Sequence, residues 1–453
     1  MLLLLVGGYL LFNYSFMLIR PVGIPVGEIV LVLSLLMINH QKVLPRFIHS
    51  PIFIPFAIWL GFGLCGIITG IFDHGIWAIR DGSHVIESMF LYVGFAFAGS
   101  PHGLQKIQKV LPPAFLCLIF YGLLFPFRDL LSGFIPTVQN LSGKEFPLLM
   151  HGNTAMLFIV ISAYFTHLYF ARPNRHRYIV VAIFLIATSL ILLPSRTLYL
   201  QIIFMLVYFM FSGGVKQLKK VALLSIMPII LIAIIMGSGL SIYGRFDFEL
   251  IDYFKHFMEI FQFGNTDKEM ISSGNDLRIL WWTTILMDWA SSWVTILFGR
   301  GFGFPLVDMT LAGDVAVREP HNDIIGILAR MGIIATLSFL IIQTYLIYAS
   351  LKVIDCFKSN VGLSSLCVSL LMLIICTLII TLGESPFIMS FFAIPYYFGA
   401  GIILRLNRVR SYIGNLNTTN QRATALQQLA ELSNPAALEK PDQPQKHAAY
   451  ASR

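Results

Sequence analysis

The chain has 453 residues, of which 57% are hydrophobic and only 12% charged. Soluble proteins carry about 25% charged residues, so a string of soluble domains is excluded and a multispanning membrane protein is expected. The formal net charge of +8 does not indicate nucleic acid, because the basic residues lie in short loops between apolar runs and form no single patch.

Apolar runs of roughly 17–25 residues mark bilayer crossings. About twelve follow in chain order, some of them short: 2–19, 23–39, 52–71, 84–99, 110–126, 149–170, 178–194, 197–213, 221–240, 322–350, 362–382 and 387–404. The expected fold is all-α, a polytopic transmembrane helix bundle with one long, partly helical loop on the outer face. The first run lacks a charged n-region and a small-residue cleavage site, so a retained span is expected rather than a signal peptide.

The connections alternate in character. One set is basic: Lys42/Arg46, Lys106/Lys109, "RPNRHR" (172–177), Lys216/Lys219/Lys220, Lys352/Lys358 and Arg405/Arg408/Arg410. The other set is poor in Lys and Arg: around Arg20, Asp73–Asp81, 127–148, Pro194–Arg196 and "GESP" (383–386). Placing the basic set inside puts both termini in the cytoplasm. The chain then divides into an N-terminal bundle (1–240), a large outer loop (241–321), C-terminal transmembrane helices (322–404) and a cytoplasmic tail (405–453). The tail is polar, contains Pro and Gln, and is expected to be disordered and dispensable for chemistry. Within the loop, "LRILWWTTILMDWASSWVTILFG" (277–299) reads as an interfacial or re-entrant helix.

Several chemistries find no support. The five cysteines, Cys65, Cys117, Cys356, Cys367 and Cys376, show no CxxC or Cys/His ligand spacing, so neither a disulfide framework nor structural zinc is expected. "GRGFGF" (299–304) lacks the strand, the helix and the Lys-Ser/Thr of a phosphate-binding loop. Asp73, Asp81, Asp314, Glu319 and Asp323 are too scattered for a carboxylate cage, so a reaction without metal or other cofactor is expected, with arginine supplying positive charge.

Ionisable groups at the mouth of an apolar run are expensive and mark candidate sites. "REPHNDIIGILARMG" (318–332) supplies the densest cluster, with Arg318, Glu319, His321, Asn322 and Asp323 at the opening of a run and Arg330 inside it. Continued as a helix, His321, Ile325, Leu328 and Gly332 share a stripe whose lower end is a glycine, where a neighbouring helix can approach closely. His321 suits proton transfer near neutral pH, or serves equally as an interfacial histidine capping the helix. Arg278 and Trp282 stand at i and i+4 on one face. There the arginine can grip a diphosphate and the tryptophan a sugar or polyprenyl surface, although an Arg–Trp stack at the membrane interface is the plainer reading. Arg196 in "LLPSRTLYLQ" sits on a tight outer turn, facing the interior or snorkelling to headgroups. Arg80, Arg245, Arg300 and Arg318 are further outer cations, each also readable as ordinary surface charge. Glu28 and Glu384 are candidate partners for these arginines, or simply interfacial acids.

Taken in order, "NDLRILWW", "LFGRGFGF" and "PHNDIIGILARMGII", with "PSRTLYL" and "HGNTA" upstream, resemble the core motifs of the O-antigen ligase and polymerase superfamily. The resemblance covers residues 150 to 345, with matching topology outside. It implies a bacterial inner-membrane glycosyltransferase of the lipid-linked-sugar GT-C type, its active site and the 241–321 loop facing the periplasm. The implied donor is a glycan on undecaprenyl diphosphate, and the acceptor a saccharide, either a lipid A core or a second lipid-linked glycan. Membrane lipids and a polysaccharide assembly complex are the further partners it allows. By the resemblance, Arg196 and Arg278 bind the donor diphosphate and His321 takes the proton from the acceptor hydroxyl; Trp282, Arg318, Asn322, Arg300, Arg245 and Arg80 are the further candidate substrate-binding residues. The "WW" doublet and Arg330, near a place where many members carry an acidic residue, depart from the pattern. Ligase, polymerase and protein oligosaccharyltransferase versions all remain open, as does a lipid-linked-oligosaccharide flippase without transfer activity.

Overall fold

The computed structural model describes residues 2–21, 24–100, 102–124, 133–139, 145–147, 154–192, 195–213, 218–237, 272–307, 309–311 and 315–414. Arg245, Asp314, "HGN" of the "HGNTA" motif, most of the first part of the 241–321 loop and the polar tail beyond 414 lie outside the described residues.

The described residues are helical almost throughout. In order the helices are α1 (Leu2–Met17), α2 (Val26–Met37), α3 (His40–Ile48), α4 (Phe53–His74), α5 (Ile76–Asp81), α6 (Ser83–Glu87), α7 (Phe90–Ala98), α8 (Gly103–Leu124), α9 (Thr154–Ala171), α10 (Arg177–Leu192), α11 (Arg196–Gly213) and α12 (Leu218–Gly237). They continue with α13 (Ser272–Trp289), α14 (Trp293–Phe298), α15 (Asp323–Cys356), α16 (Val361–Ile380) and α17 (Ser390–Gly414). Two short antiparallel ladders interrupt them, β1 (Thr137–Gln139) with β2 (Glu145–Pro147) and β3 (Met309–Leu311) with β4 (Val315–Val317).

Within the described residues each apolar run of the sequence falls on a helix or, for 84–99, on the pair α6 and α7. Among the described residues four helices, α4, α11, α15 and α16, are long and apolar enough to cross a membrane. The pair α2 and α3, bent by 101° at its break, makes a fifth if taken as one broken span. Helices α1, α9 and α10 are apolar but shorter. The aromatic stretch at 277–299 is two helices, α13 and α14, and a capping box between Ser292 and Thr295 starts the second.

Close backbone approach organises the core. A Cβ at Gly94 would lie 2.1 Å from the carbonyl oxygen of Phe398, and one at Gly401 2.1 Å from that of Leu91, so α7 and α17 pack backbone to backbone. Helix α15 breaks at Gly332, whose φ of +74° is the left-handed region that favours glycine. A Cβ there would lie 2.2 Å from the carbonyl oxygen of Leu297 in α14. The close approach expected at this glycine is real, and the backbone break that accompanies it is an addition.

Members of each set of connections meet, basic ones near the C-terminal end of α17 and basic-poor ones at the turn before it. Arg408 bonds the carbonyl oxygen of Arg46, and Lys220 lies 5.1 Å above the Tyr169 ring beside the 172–177 loop. The 383–386 turn, the start of α11, α13 and residue 321 meet.

Candidate functional site

The start of α15 is held by its own sequence. Asn322 is the N-cap, its side-chain oxygen accepting from Ile325 N at 3.1 Å, and its amide donates to Leu382 O at 3.5 Å. Asp323 follows, buried, with a carboxylate that accepts from Phe387 N at 2.9 Å; its own N–H donates to Thr381 O at 3.2 Å. These bonds lace α15 to the turn after α16 and place Glu384 above the helix end.

His321 corrects the helical-stripe expectation. Its φ of +51° puts it outside the helix, before the N-cap, so it does not share a stripe with Ile325 and Leu328. Histidine enters this region more readily than most residues, but a non-glycine there is uncommon and tends to mark functional positions. The turned backbone directs the ring to Glu384, with Nδ1 3.0 Å from Oε2. Trp281 stands beside the ring, its centroid 6.2 Å away.

Arg278, on α13, reaches the same carboxylate from the other side, with Nη2 3.5 Å from Glu384 Oε1. Trp282, one turn on, donates Nε1–H to Pro320 O at 2.8 Å and so fixes the residue before His321. Thus the i, i+4 pair forms no stack of its own; one member meets the carboxylate and the other anchors the strained turn. Arg278 Nη1 and Thr197 Cγ2 both lie 3.8 Å from where a Cβ on Gly383 would stand. The N-terminus of α11, which begins at Arg196 and is capped by Ser195 Oγ accepting from Leu198 N, therefore abuts the same turn. Side chains of His321, Arg278 and Glu384 are 36%, 34% and 47% exposed, open enough to meet a ligand.

The remaining arginines form a separate group. Arg330, only 2% exposed, holds Asp81 Oδ2 at 3.2 Å and Glu319 Oε1 at 2.6 Å, and bonds Phe304 O at 3.2 Å. Two of the carboxylates that look scattered in sequence therefore converge, on a guanidinium. Arg318 joins at 3.5 Å from Asp81, donates to Gly303 O at 2.7 Å and lies 4.4 Å above the Trp77 ring. Arg80 is exposed and also lies over the Trp77 ring, at 4.8 Å, and Arg300 pairs with Asp288. Burial raises the Glu319 carboxyl above its ordinary value, against the opposing pull of Arg330. This network staples the "GRGFGF" loop between α5 and α15, with Arg300 N donating to Ala329 O and Gly301 N to Arg330 O.

Behind that loop an apolar groove of about 760 Å³ runs along α4 from Phe53 to Thr69 and is closed by Phe298–Gly301.

The structure thus brings Arg278, Trp282, His321, Asn322 and the start of α11 together. Arg80, Arg300 and Arg318 are committed to aromatic rings or acids nearby. Glu384 and Trp281 are the site residues that sequence reasoning underrated. Their signal was present: a glutamate in a four-residue outer turn, and a tryptophan doublet.

Compared with known proteins, the chain matches no family model and no curated protein.

Proposed function

We propose that this chain is a membrane glycosyltransferase that moves a glycan from undecaprenyl diphosphate to an acceptor sugar hydroxyl, as a ligase or polymerase of surface polysaccharide. The observation that carries the reading is one carboxylate, Glu384, bridging a histidine on a strained turn and an arginine on a facing helix. In this reading the chain crosses the bacterial inner membrane about twelve times at the apolar runs given above. The His321 end faces the periplasm and both termini are cytoplasmic.

The chemistry follows from the donors and acceptors present. With Nδ1–H donated to Glu384, His321 keeps Nε2 free as a base, oriented and electrostatically supported by the carboxylate. Nε2 takes the proton of the acceptor hydroxyl as its oxygen attacks the anomeric carbon. The bond from that carbon to the diphosphate breaks, the electron pair leaves with the diphosphate, and configuration inverts. Arginine has five donors and Arg278 spends one on Glu384, which leaves others for the leaving group. Arg196 adds charge from the adjoining helix end. Preorganised cations of this kind stabilise a departing diphosphate most where water is excluded. The apolar groove along α4 offers room for a polyprenyl chain.

The test is a glycan gel profile of a deletion strain complemented with wild type, His321→Asn, Arg278→Gln or Arg196→Gln at matched membrane levels. Asparagine tolerates the left-handed backbone, so His321→Asn removes the base with little strain. Loss of long-chain glycan in all three supports the reading. Full-length chains stranded on undecaprenyl diphosphate would identify a ligase, and single-repeat material on its acceptor a polymerase. Normal glycan in every variant would sink the assignment and favour a flippase.

A further inference from the structure

Between α1, α2, α6 and α17 lies a group of buried oxygen atoms that neither the transfer chemistry nor the Arg330 network uses. Glu87, the last residue of α6, is completely buried. Its Oε1 accepts from Ser390 Oγ at the start of α17, and its Oε2 has no hydrogen-bond partner among the described residues. Glu28, in the first turn of α2, likewise holds a buried Oε2 without a partner. Tyr9 of α1 is completely buried, and its hydroxyl lies 2.7 Å from where a Cβ on Gly27 would stand, so it points at the residue beside Glu28. That hydroxyl and the buried hydroxyl of Tyr397 on α17 are without partners too. Helix α1 breaks one turn after Tyr9, at Asn13, whose φ is +55°.

The charges here do not balance. Those of Glu87 and Glu28 both reach Tyr9, and that of Glu28 reaches Glu87. Arg20 is the cation that opposes them, acting on Glu28 and Tyr9. Neither glutamate has an ion pair among the described residues. Of the other neighbours, Gly63 of α4 meets Val85 and brings no charge, and His84 is turned to the Trp59 and Phe302 rings. Asp323 faces Tyr397 from α15, and its carboxylate is held by Phe387 N. A carboxylate so far from water is strongly unfavourable unless it is neutralised or paired. Two carboxylates against one guanidinium leave one negative charge over, which a single monovalent cation cancels. The free groups around it, carboxylate oxygens and hydroxyls, are those that take a proton or ligate an alkali ion. Ionisable groups at membrane depth and broken helices mark the sites of such ions.

We propose that Glu87, Glu28 and Tyr9 form a buried site for one monovalent cation, a proton or a sodium ion. The site rests on the packing of α1, α2, α6 and α17 and not on glycosyl transfer, so the two fail separately.

The full chain, purified in detergent, is compared with Glu87→Gln, which keeps an acceptor for Ser390. Two measurements are made: infrared difference spectra across pH, and thermal unfolding in sodium chloride against N-methylglucamine chloride at equal ionic strength. A protonated-carboxyl band at neutral pH in wild type, missing from Glu87→Gln, identifies the proton. No such band, with an unfolding temperature that sodium raises in wild type and not in Glu87→Gln, identifies sodium. Glu28→Gln removes the surplus charge and should weaken either cation about tenfold, read in the pH at which the band is lost or in the sodium concentration needed. If Glu87→Gln does not fold, the response of the half-buried Glu28→Gln decides the matter alone. Wild type with neither band nor sodium response would leave Glu87 ionised without a cation and overturn the proposal. An occupancy that Glu28→Gln does not change would overturn it equally.

Discussion

His321 Nδ1 lies 3.0 Å from Glu384 Oε2, across 63 residues of sequence, and the second oxygen of the same carboxylate faces Arg278. Glu384→Gln keeps the shape of this bridge and removes its charge. On the proposed reading, transfer measured with membranes and a lipid-linked donor should fall by roughly 100-fold, the lower end of what a positioned general base contributes. A variant with the wild-type rate would leave Glu384 with no part in the mechanism.

Arg330 is a buried counter-charge rather than a ligand group. Arg330→Gln strands the Glu319 carboxylate and leaves Asp81 only its longer contact with Arg318, at a cost of about 3–5 kcal/mol. The expected result is a sharply lower unfolding temperature in detergent and little protein in the membrane. Arg330→Lys should recover part of the loss, and an Arg330→Gln protein as stable as wild type would contradict the staple described above.

Glu319 makes stability depend on pH. Burial raises its folded pKa above the unfolded one, so the folded state binds more protons than the unfolded state in the window between them. Its contribution is fully present below the ordinary carboxylate range and is lost as pH rises through the folded value. Relative to Glu319→Gln, wild type should therefore lose thermal stability from acidic to neutral pH. A difference that grows in the opposite direction would show Arg330 outweighing burial.

Gly332→Ala asks a left-handed residue to carry a side chain and drives that side chain into the Leu297 carbonyl. The strain alone is worth about 1–3 kcal/mol, and displacement of α14 adds to it. Limited proteolysis between residues 289 and 305 should accelerate, and unchanged cleavage would mean that α14 does not need this contact.

Periodicity and length located the helices well, because lipid-length apolar runs leave the backbone few alternatives. The same reasoning singled out Arg278, Trp282 and His321, which the structure brings together, and expected the close approach at Gly332. It failed where a single backbone angle decides direction: the stripe drawn through His321 assumed helical φ, and φ of +51° turned the ring away from Ile325 towards Glu384. It also could not pair Asp81 with Arg330, since no local period relates an α5 carboxylate to a cation in α15. Both misses concern side chains that meet only after the helices have packed.

The break at Gly332 also sets depth. From residue 333 to the end of α15 at Cys356, a helix rising 1.5 Å per residue measures about 36 Å, already more than the roughly 30 Å hydrocarbon core of a bilayer. The stretch from Asp323 to Met331 is therefore surplus to the crossing. On the membrane-spanning reading, Arg330, Asp81 and the His321 turn then lie outside the hydrocarbon core, and the buried charges of Arg330 and Asp81 meet each other rather than water. A shorter lower segment would sink them into oil.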